Sequence, residues 1–146
     1  MSLRNLLGIS LDEVKPSRDT IARLLAAAER NLADATLPAL SPENRFDAAY
    51  KAIMQCAMAA LNAHGYRTLA SRPGHHQTAI QTLVHTVNLA HDEVLVLDVL
   101  RKQRNLADYE GDPVPHSSVS ACLDSASALL SHVRTWLQKN RPELLK

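Results

Sequence analysis

Residues 117–140 carry apolar side chains at every third or fourth position over about six helical turns. The apolar positions are Val119, Cys122, Leu123, Ala126, Leu129, Leu130, Val133, Trp136 and Leu137. A stripe with this period predicts an amphipathic helix that must bury one face against other elements. No segment of the chain shows the alternating pattern of a β-strand, so the sequence predicts that the packing partners are helices.

Four further segments have helical periodicity; three of them end at proline or glycine, and the third in chain order ends at a break over Asn88 to His91. Ser17, Ser41, Asp92 and either Ser117 or Ser118 stand where side-chain caps are expected. The sequence predicts helices over 17–36, 42–64, 75–87, 92–109 and 117–140, which is an all-α, antiparallel up-and-down bundle of five helices. The expected buried core is Leu25, Tyr50, Ile53, Ala57, Leu83, Leu100, Leu123, Leu130 and Val133.

The length of 146 residues, 46% of them hydrophobic, predicts one globular domain over 17–146. Residues 1–16 form an N-terminal arm with a short apolar patch of Leu3, Leu6, Leu7, Ile9 and Leu11. Such a patch is expected to dock on the bundle or on a partner subunit.

Charge and cysteine content narrow the possible functions. The net charge of +1 argues against a protein that binds nucleic acid through its overall charge, but it is compatible with a local basic binding site. Cys56 and Cys122 lie within apolar helical patterns and are expected to be buried free thiols of a reducing cytosol. No apolar run has the length of a membrane span, and no signal-peptide block is recognisable, so a cytoplasmic protein without a membrane contact is expected.

The seven histidines do not predict a metal site. His75 and His76 are adjacent and diverge by about 100° on a helix, and no pair of histidines has the i, i+4 spacing of a zinc site. The chain also lacks a glycine-rich phosphate loop, so no cofactor is expected. His75 and His76 follow Pro73-Gly74 and are interpreted as the start of a helix, in an exposed or capping role.

The stretch Arg101–Tyr109 closes the fourth predicted helix and holds the best candidate site. Helical spacing places Arg104 at the border of the apolar face, next to Leu97 and Leu100, and Arg101 on the opposite side. The guanidinium of Arg104 is expected to be partly buried and to point into a polar groove near Asn105, Asp108 and Tyr109. The alternative is an ordinary surface ion pair between Arg104 and Asp108, which are spaced i, i+4.

Several motifs resemble the HEPN family, named for "higher eukaryotes and prokaryotes nucleotide-binding". They are Arg45-Phe46-Asp47-Ala48-Ala49-Tyr50, His64-Gly65-Tyr66, Pro73-Gly74-His75-His76, and Arg104-Asn105 near the end of a late helix. The resemblance covers residues 17–140. It implies a small helical bundle, a homodimer, and kinship with RNA-cutting toxins and the other proteins of toxin–antitoxin pairs.

The chain departs from the family motif at one position, where Tyr109 stands in place of the histidine expected after Arg104. Tyrosine has an ordinary pKa near 10 and is a poor proton acceptor at neutral pH. The resemblance therefore implies an RNA- or nucleotide-binding or regulatory module without efficient nuclease activity, with Arg101, Arg104, Asn105, Asp108 and Tyr109 as binding residues. An operon-encoded partner, such as a nucleotidyltransferase-like protein, is also implied.

The alternative is an active, metal-independent HEPN ribonuclease. It would use Arg104 and Asn105 on the scissile phosphate, with Tyr109 or the more distant His116 in proton transfer.

Overall fold

A computed structural model of the chain describes residues 3–145 and has an all-α fold, so the predicted fold class is confirmed. Its helices are α1 (Arg18–Asp34), α2 (Pro42–Ala63), α3 (His75–Gln81), α4 (Leu83–Thr86), α5 (His91–Glu110) and α6 (His116–Asn140). Short 3₁₀ helices span Leu3–Leu6 and Pro142–Leu144. Among the helices of residues 3–145, none is both long and apolar enough to cross a membrane.

A small antiparallel sheet corrects the expectation that the chain has no strands. Strand β1 (Leu11–Glu13) pairs with β2 (Tyr66–Thr68), and Leu11 lies opposite Thr68. Strands of three residues are too short to show the alternation that identifies a strand in a sequence. The sheet holds the N-terminal segment on the helical body, where the side chain of Leu11 is fully buried. The side chain of Ile9, two residues earlier, remains exposed.

The first two long helices begin at the predicted caps. Ser17 Oγ accepts a hydrogen bond from the Thr20 backbone N–H at 3.1 Å. Ser41 Oγ accepts one from the Asn44 N–H at 3.2 Å, and Pro42 occupies the first helical position. Each cap satisfies one of the N–H groups that a helix N-terminus leaves unpaired.

The other two predicted caps are wrong. Helix α5 begins at His91, one residue before Asp92, and α6 begins at His116, ahead of Ser117 and Ser118. Neither helix has a side-chain cap hydrogen bond. Asp92 instead lies in the first turn of α5, where a carboxylate is favoured by the helix dipole.

The helix predicted over 75–87 is interrupted at Thr82, so it forms α3 and α4. The Thr82 hydroxyl donates a hydrogen bond to the Ala79 carbonyl at 2.9 Å. A threonine that bonds to the preceding turn in this way bends a helix. After α4 the backbone passes through Asn88 with φ of 56°, a left-handed conformation that ends the helix.

Helix α2 lies at the centre of the domain and packs against both α1 and α6. One class of residue dominates its buried surface: alanines with no solvent exposure, at Ala49, Ala52, Ala57, Ala59, Ala60 and Ala63. Side chains this small let neighbouring helices approach closely. Hereafter these six residues are called the alanine face.

The predicted core is confirmed at eight of its nine positions, and Leu123 is only half-buried. Cys56 and Cys122 are buried free thiols, as expected. Burial raises the pKa of each thiol to about 12, so both stay protonated at neutral pH. Neither cysteine is therefore a thiolate nucleophile in the folded protein.

Candidate functional site

Arg104 lies on the side of α5 that faces α2, and its side chain is 23% exposed. Its guanidinium carbon is 5.5 Å from the centre of the Tyr50 ring, within the range of a cation–π contact. This contact restrains the guanidinium beside the Tyr50 ring. The sequence correctly predicted that Arg104 is partly buried.

Two carboxylates lie near the edge of the Arg104 guanidinium. Nε is 2.8 Å from Asp108 Oδ2 and 3.7 Å from Asp47 Oδ1. Nε is nevertheless buried and makes no hydrogen bond within residues 3–145, because its N–H bond does not point at the Asp108 oxygen. The contact is thus a charge interaction that leaves one buried donor of Arg104 unused.

Arg101 lies on the same inner side, and its side chain is only 15% exposed. The expectation that it faces away from Leu100 and the core is therefore wrong. Its Nε donates to Asp98 Oδ1 at 2.9 Å, and Lys102 Nζ is 3.5 Å from the other Asp98 oxygen. Burial raises the pKa of the Asp98 carboxyl, but the hydrogen bond and charge of Arg101, together with Lys102, outweigh it and hold that pKa below its ordinary value.

His76, from the first turn of α3, joins the same cluster. Its Nδ1 is 3.3 Å from the Tyr50 hydroxyl. Burial raises the pKa of Tyr50 to about 12, against the opposing charges of Arg104 and Arg101, so the hydroxyl keeps its proton at neutral pH. Burial also lowers the pKa of His76, and the charges of His75, Arg104 and Arg101 lower it further. His76 is therefore neutral at pH 7, with one ring nitrogen as donor and the other as acceptor.

We call the following residues the arginine cluster: Asp47, Tyr50, His76, Asp98, Arg101, Arg104 and Asp108. His76 was not predicted to belong to this site, and Tyr50 was predicted only as a core residue. The available signal was the pair His75-His76 directly after the Pro73-Gly74 turn. Chemically, the cluster offers two anchored guanidinium groups and a neutral imidazole N–H, all donors suited to phosphate oxygens.

Asn105 and Tyr109 lie outside the arginine cluster. They line a shallow groove on the outer side of α5 together with Lys102, Leu106 and Glu110. Tyr109 is 80% exposed. The five predicted binding residues are thus divided, with Arg101, Arg104 and Asp108 in the cluster and the other two outside it. His116 is exposed at the start of α6.

The outer side of α5 carries an exposed row that we call the outer stripe: Leu95, Val99, Lys102, Leu106 and Tyr109. Successive members are separated by four, three, four and three residues. This is the spacing at which one helix presents a continuous seam to another helix. The stripe is about 21 Å long, and four of its five side chains are large and apolar.

The described part of the chain, residues 3–145, contains no group of three histidine, cysteine, aspartate or glutamate side chains that could hold a metal ion. No protein-family model matches the chain, and no curated protein matches it in sequence. The resemblance to the HEPN family therefore rests on the motifs quoted above alone.

The lowered pKa of His76 predicts acid-sensitive stability. The contribution of His76 is fully present above the unfolded-state pKa near 6.5, and it is lost as pH falls through the lower folded-state pKa. In urea unfolding, we expect the wild type to lose stability between about pH 7.5 and 5.5, and His76→Asn to lose less. His85→Asn, which changes an exposed histidine, should behave like the wild type. Equal losses in wild type and His76→Asn would contradict the assignment.

Proposed function

We propose that the protein is a cytoplasmic, HEPN-like helical module that binds a phosphate-bearing ligand, RNA or a nucleotide, at the arginine cluster. It would act in regulation, as a component of a toxin–antitoxin type of system, without efficient nuclease activity. The observation that carries the proposal is the anchoring of Arg101 and Arg104 on one side of α5, beside the neutral His76.

Anchored guanidinium groups suit phosphate because their planar forks donate two parallel hydrogen bonds to its oxygens. The contact of Arg104 with Tyr50 reduces the side-chain entropy that binding would otherwise cost. The buried Nε of Arg104 makes no hydrogen bond among residues 3–145, although Asp108 Oδ2 is 2.8 Å away, so a phosphate oxygen that displaces Asp108 would satisfy this donor.

Three carboxylates compete with a phosphate for these arginines. Two of them have a second cation at hand: Lys51 Nζ is 3.6 Å from Asp47, and Lys102 Nζ is 3.5 Å from Asp98. These lysines would stay on the carboxylates when the guanidinium groups turn to a ligand. Moving an arginine from its carboxylate to a phosphate therefore costs less free energy than breaking an isolated ion pair, because the carboxylate keeps a lysine partner.

The position of Tyr109 supports binding without efficient cleavage. Its side chain is largely in solvent, in a groove to which Arg104 does not contribute. A phosphate held by Arg104 would thus have no proton acceptor at the position of the family histidine.

One observation favours the alternative, a metal-independent ribonuclease built on Arg104 and Asn105. His76 is neutral and lies close enough to Arg104 for the guanidinium charge to lower its pKa. A neutral imidazole beside a phosphate-binding guanidinium is chemically able to accept the proton of a 2′-hydroxyl.

The test is equilibrium binding of a fluorescent single-stranded RNA and of ATP to wild type and Arg104→Ala. Loss of charged hydrogen bonds to phosphate should weaken binding by roughly tenfold or more. Arg30→Ala removes an exposed arginine of α1 and serves as the charge-matched control, with little expected change. If Arg104→Ala lowers thermal stability but leaves binding unchanged, Arg104 is a structural ion-pair residue and the proposal fails.

Incubation of the RNA with each variant separates the two candidate functions. The binding module should leave the RNA intact, and a gain of cleavage in Tyr109→His would support a nuclease scaffold that lost its proton-transfer group. Cleavage by the wild type that disappears in both Arg104→Ala and His76→Asn would favour the ribonuclease.

We further propose that the protein is a homodimer joined through the outer stripe. The four–three spacing of the stripe is that of a helix seam, and a single lysine within an apolar seam selects one register of pairing. The N-terminal arm is the other candidate for self-association, since Ile9 is as exposed as Leu95. We also propose that the protein binds a partner protein encoded in the same operon.

A further inference from the structure

A groove lies between α1, α2 and the small sheet, and we call it the sheet-side groove. Its floor includes the apolar side chains of Leu24, Met58 and Leu61, and its polar lining includes Lys15 and Asn62. The cavity has a volume of about 450 Å³. This size is typical of pockets for small molecules, which span roughly 300–1,000 Å³.

Asn62 is a largely buried residue whose side-chain N–H donor has no acceptor within residues 3–145 and reaches solvent. The residue is only 9% exposed, and its Oδ1 accepts the Ser17 backbone N–H at 2.9 Å. Because a backbone N–H can only donate, this bond fixes the orientation of the side-chain amide. Nδ2 then lines the groove with no hydrogen-bond partner among residues 3–145. Because this donor is accessible to solvent, a ligand oxygen can replace water on it without breaking a hydrogen bond of the protein.

The charges around the groove favour an anion. Lys15 and Arg67 are part of its lining, which contains no carboxylate. Arg67 is held by Asp12 at 2.9 Å, whereas Lys15 has no ion pair within the described residues. Ser17 and Thr20 also contribute to the lining and belong to the N-terminus of α1, where the helix dipole favours negative charge.

We propose that the sheet-side groove binds a small amphipathic carboxylate, such as a medium-chain fatty acid. The carboxylate would accept from Asn62 Nδ2 and Lys15, and the hydrocarbon body would cover Leu24, Met58 and Leu61. One amide and one unpaired ammonium match the two oxygens of a carboxylate, and the floor of the groove is apolar. The site is separate from the arginine cluster, since Asn62 is about 18 Å from Tyr50 along α2.

The experiment measures binding of decanoate to the full chain by calorimetry, with decanol as the probe that lacks the charge. Decanoate should bind to the wild type and raise its Tm, and decanol should bind more weakly. Lys15→Ala should weaken decanoate binding by roughly two- to fivefold. Lys139→Ala, an exposed lysine of α6, is the matched control and should bind as the wild type does.

Asn62→Asp tests the amide directly. It keeps an oxygen for the Ser17 N–H but places a second carboxylate oxygen where Nδ2 was, so decanoate affinity should fall by roughly tenfold or more. Met58→Trp fills the groove without changing the amide and should abolish binding. This variant decides the matter if Asn62→Asp does not fold.

Two results would overturn the assignment. One is the absence of both binding heat and a Tm shift when millimolar decanoate is added to the wild type. The other is equal affinity in wild type, Lys15→Ala and Met58→Trp, which would mean that decanoate adsorbs on another apolar surface such as the outer stripe.

Discussion

Val99→Asp should sediment as a monomer at tens of micromolar protein, where the wild type should sediment as a dimer. Val99 is 62% exposed near the middle of the outer stripe, between Leu95 and Lys102. A symmetric seam would bury two new aspartates per dimer, and each uncompensated carboxylate costs several kcal/mol on leaving water. We expect the dissociation constant to rise roughly a hundredfold or more. Sedimentation velocity measures the result.

The matched control is Ile9→Asp, which places the same charge on an equally exposed apolar residue of the N-terminal arm. If the outer stripe is the interface, this variant should remain dimeric. The reverse outcome, with Ile9→Asp monomeric and Val99→Asp dimeric, would show that the N-terminal arm forms the dimer interface. A wild type that is monomeric at these concentrations would refute the homodimer itself.

Leu130→Ala should lower the free energy of unfolding by about 2–5 kcal/mol. Leu130 is buried in α6, on the stripe that first identified this helix. Removal of its branched end forfeits apolar burial and leaves a cavity that the close-packed helices fill only in part. Urea unfolding at one fixed protein concentration measures the change, because the stability of a self-associating protein depends on concentration.

Leu37→Ala removes the same atoms from an exposed loop position and should change stability by less than about 0.5 kcal/mol. A loss at Leu130 as small as that at Leu37 would show that α6 does not hold the core in solution.

The sequence predicted the helices well where one face is buried throughout. The stripe of α6 and the core positions of α2 follow from periodicity, because a helix packed against neighbours shows the contrast between apolar and polar faces. Periodicity does not identify the buried face of α5, because Val96 is half exposed although it lies one helical turn before the buried Leu100. Apolar residues lie on both sides of this helix, so their pattern does not single out the buried one.

The candidate site was only partly predictable, for a physical reason. The partial burial of Arg104 was predictable because its apolar neighbours, Leu97 and Leu100, lie on the same helix. Helical spacing in the sequence identifies neighbours of this kind. The contacts with Tyr50 and His76 join three helices across the fold, and no local pattern encodes them. The burial of Arg101 depends on Asp98, three residues earlier, whose carboxylate compensates the guanidinium charge.

The alanine face of α2 has a consequence for how this chain can change through evolution. A larger side chain at Ala57 or Ala60 would meet close-packed neighbours, and overpacking of this kind costs about 1–3 kcal/mol. Substitution by a larger residue at these positions is therefore tolerated only when a facing residue of a neighbouring helix becomes smaller. Among divergent descendants of this sequence, side-chain volumes on α2 should covary inversely with those facing them, while exposed positions vary independently.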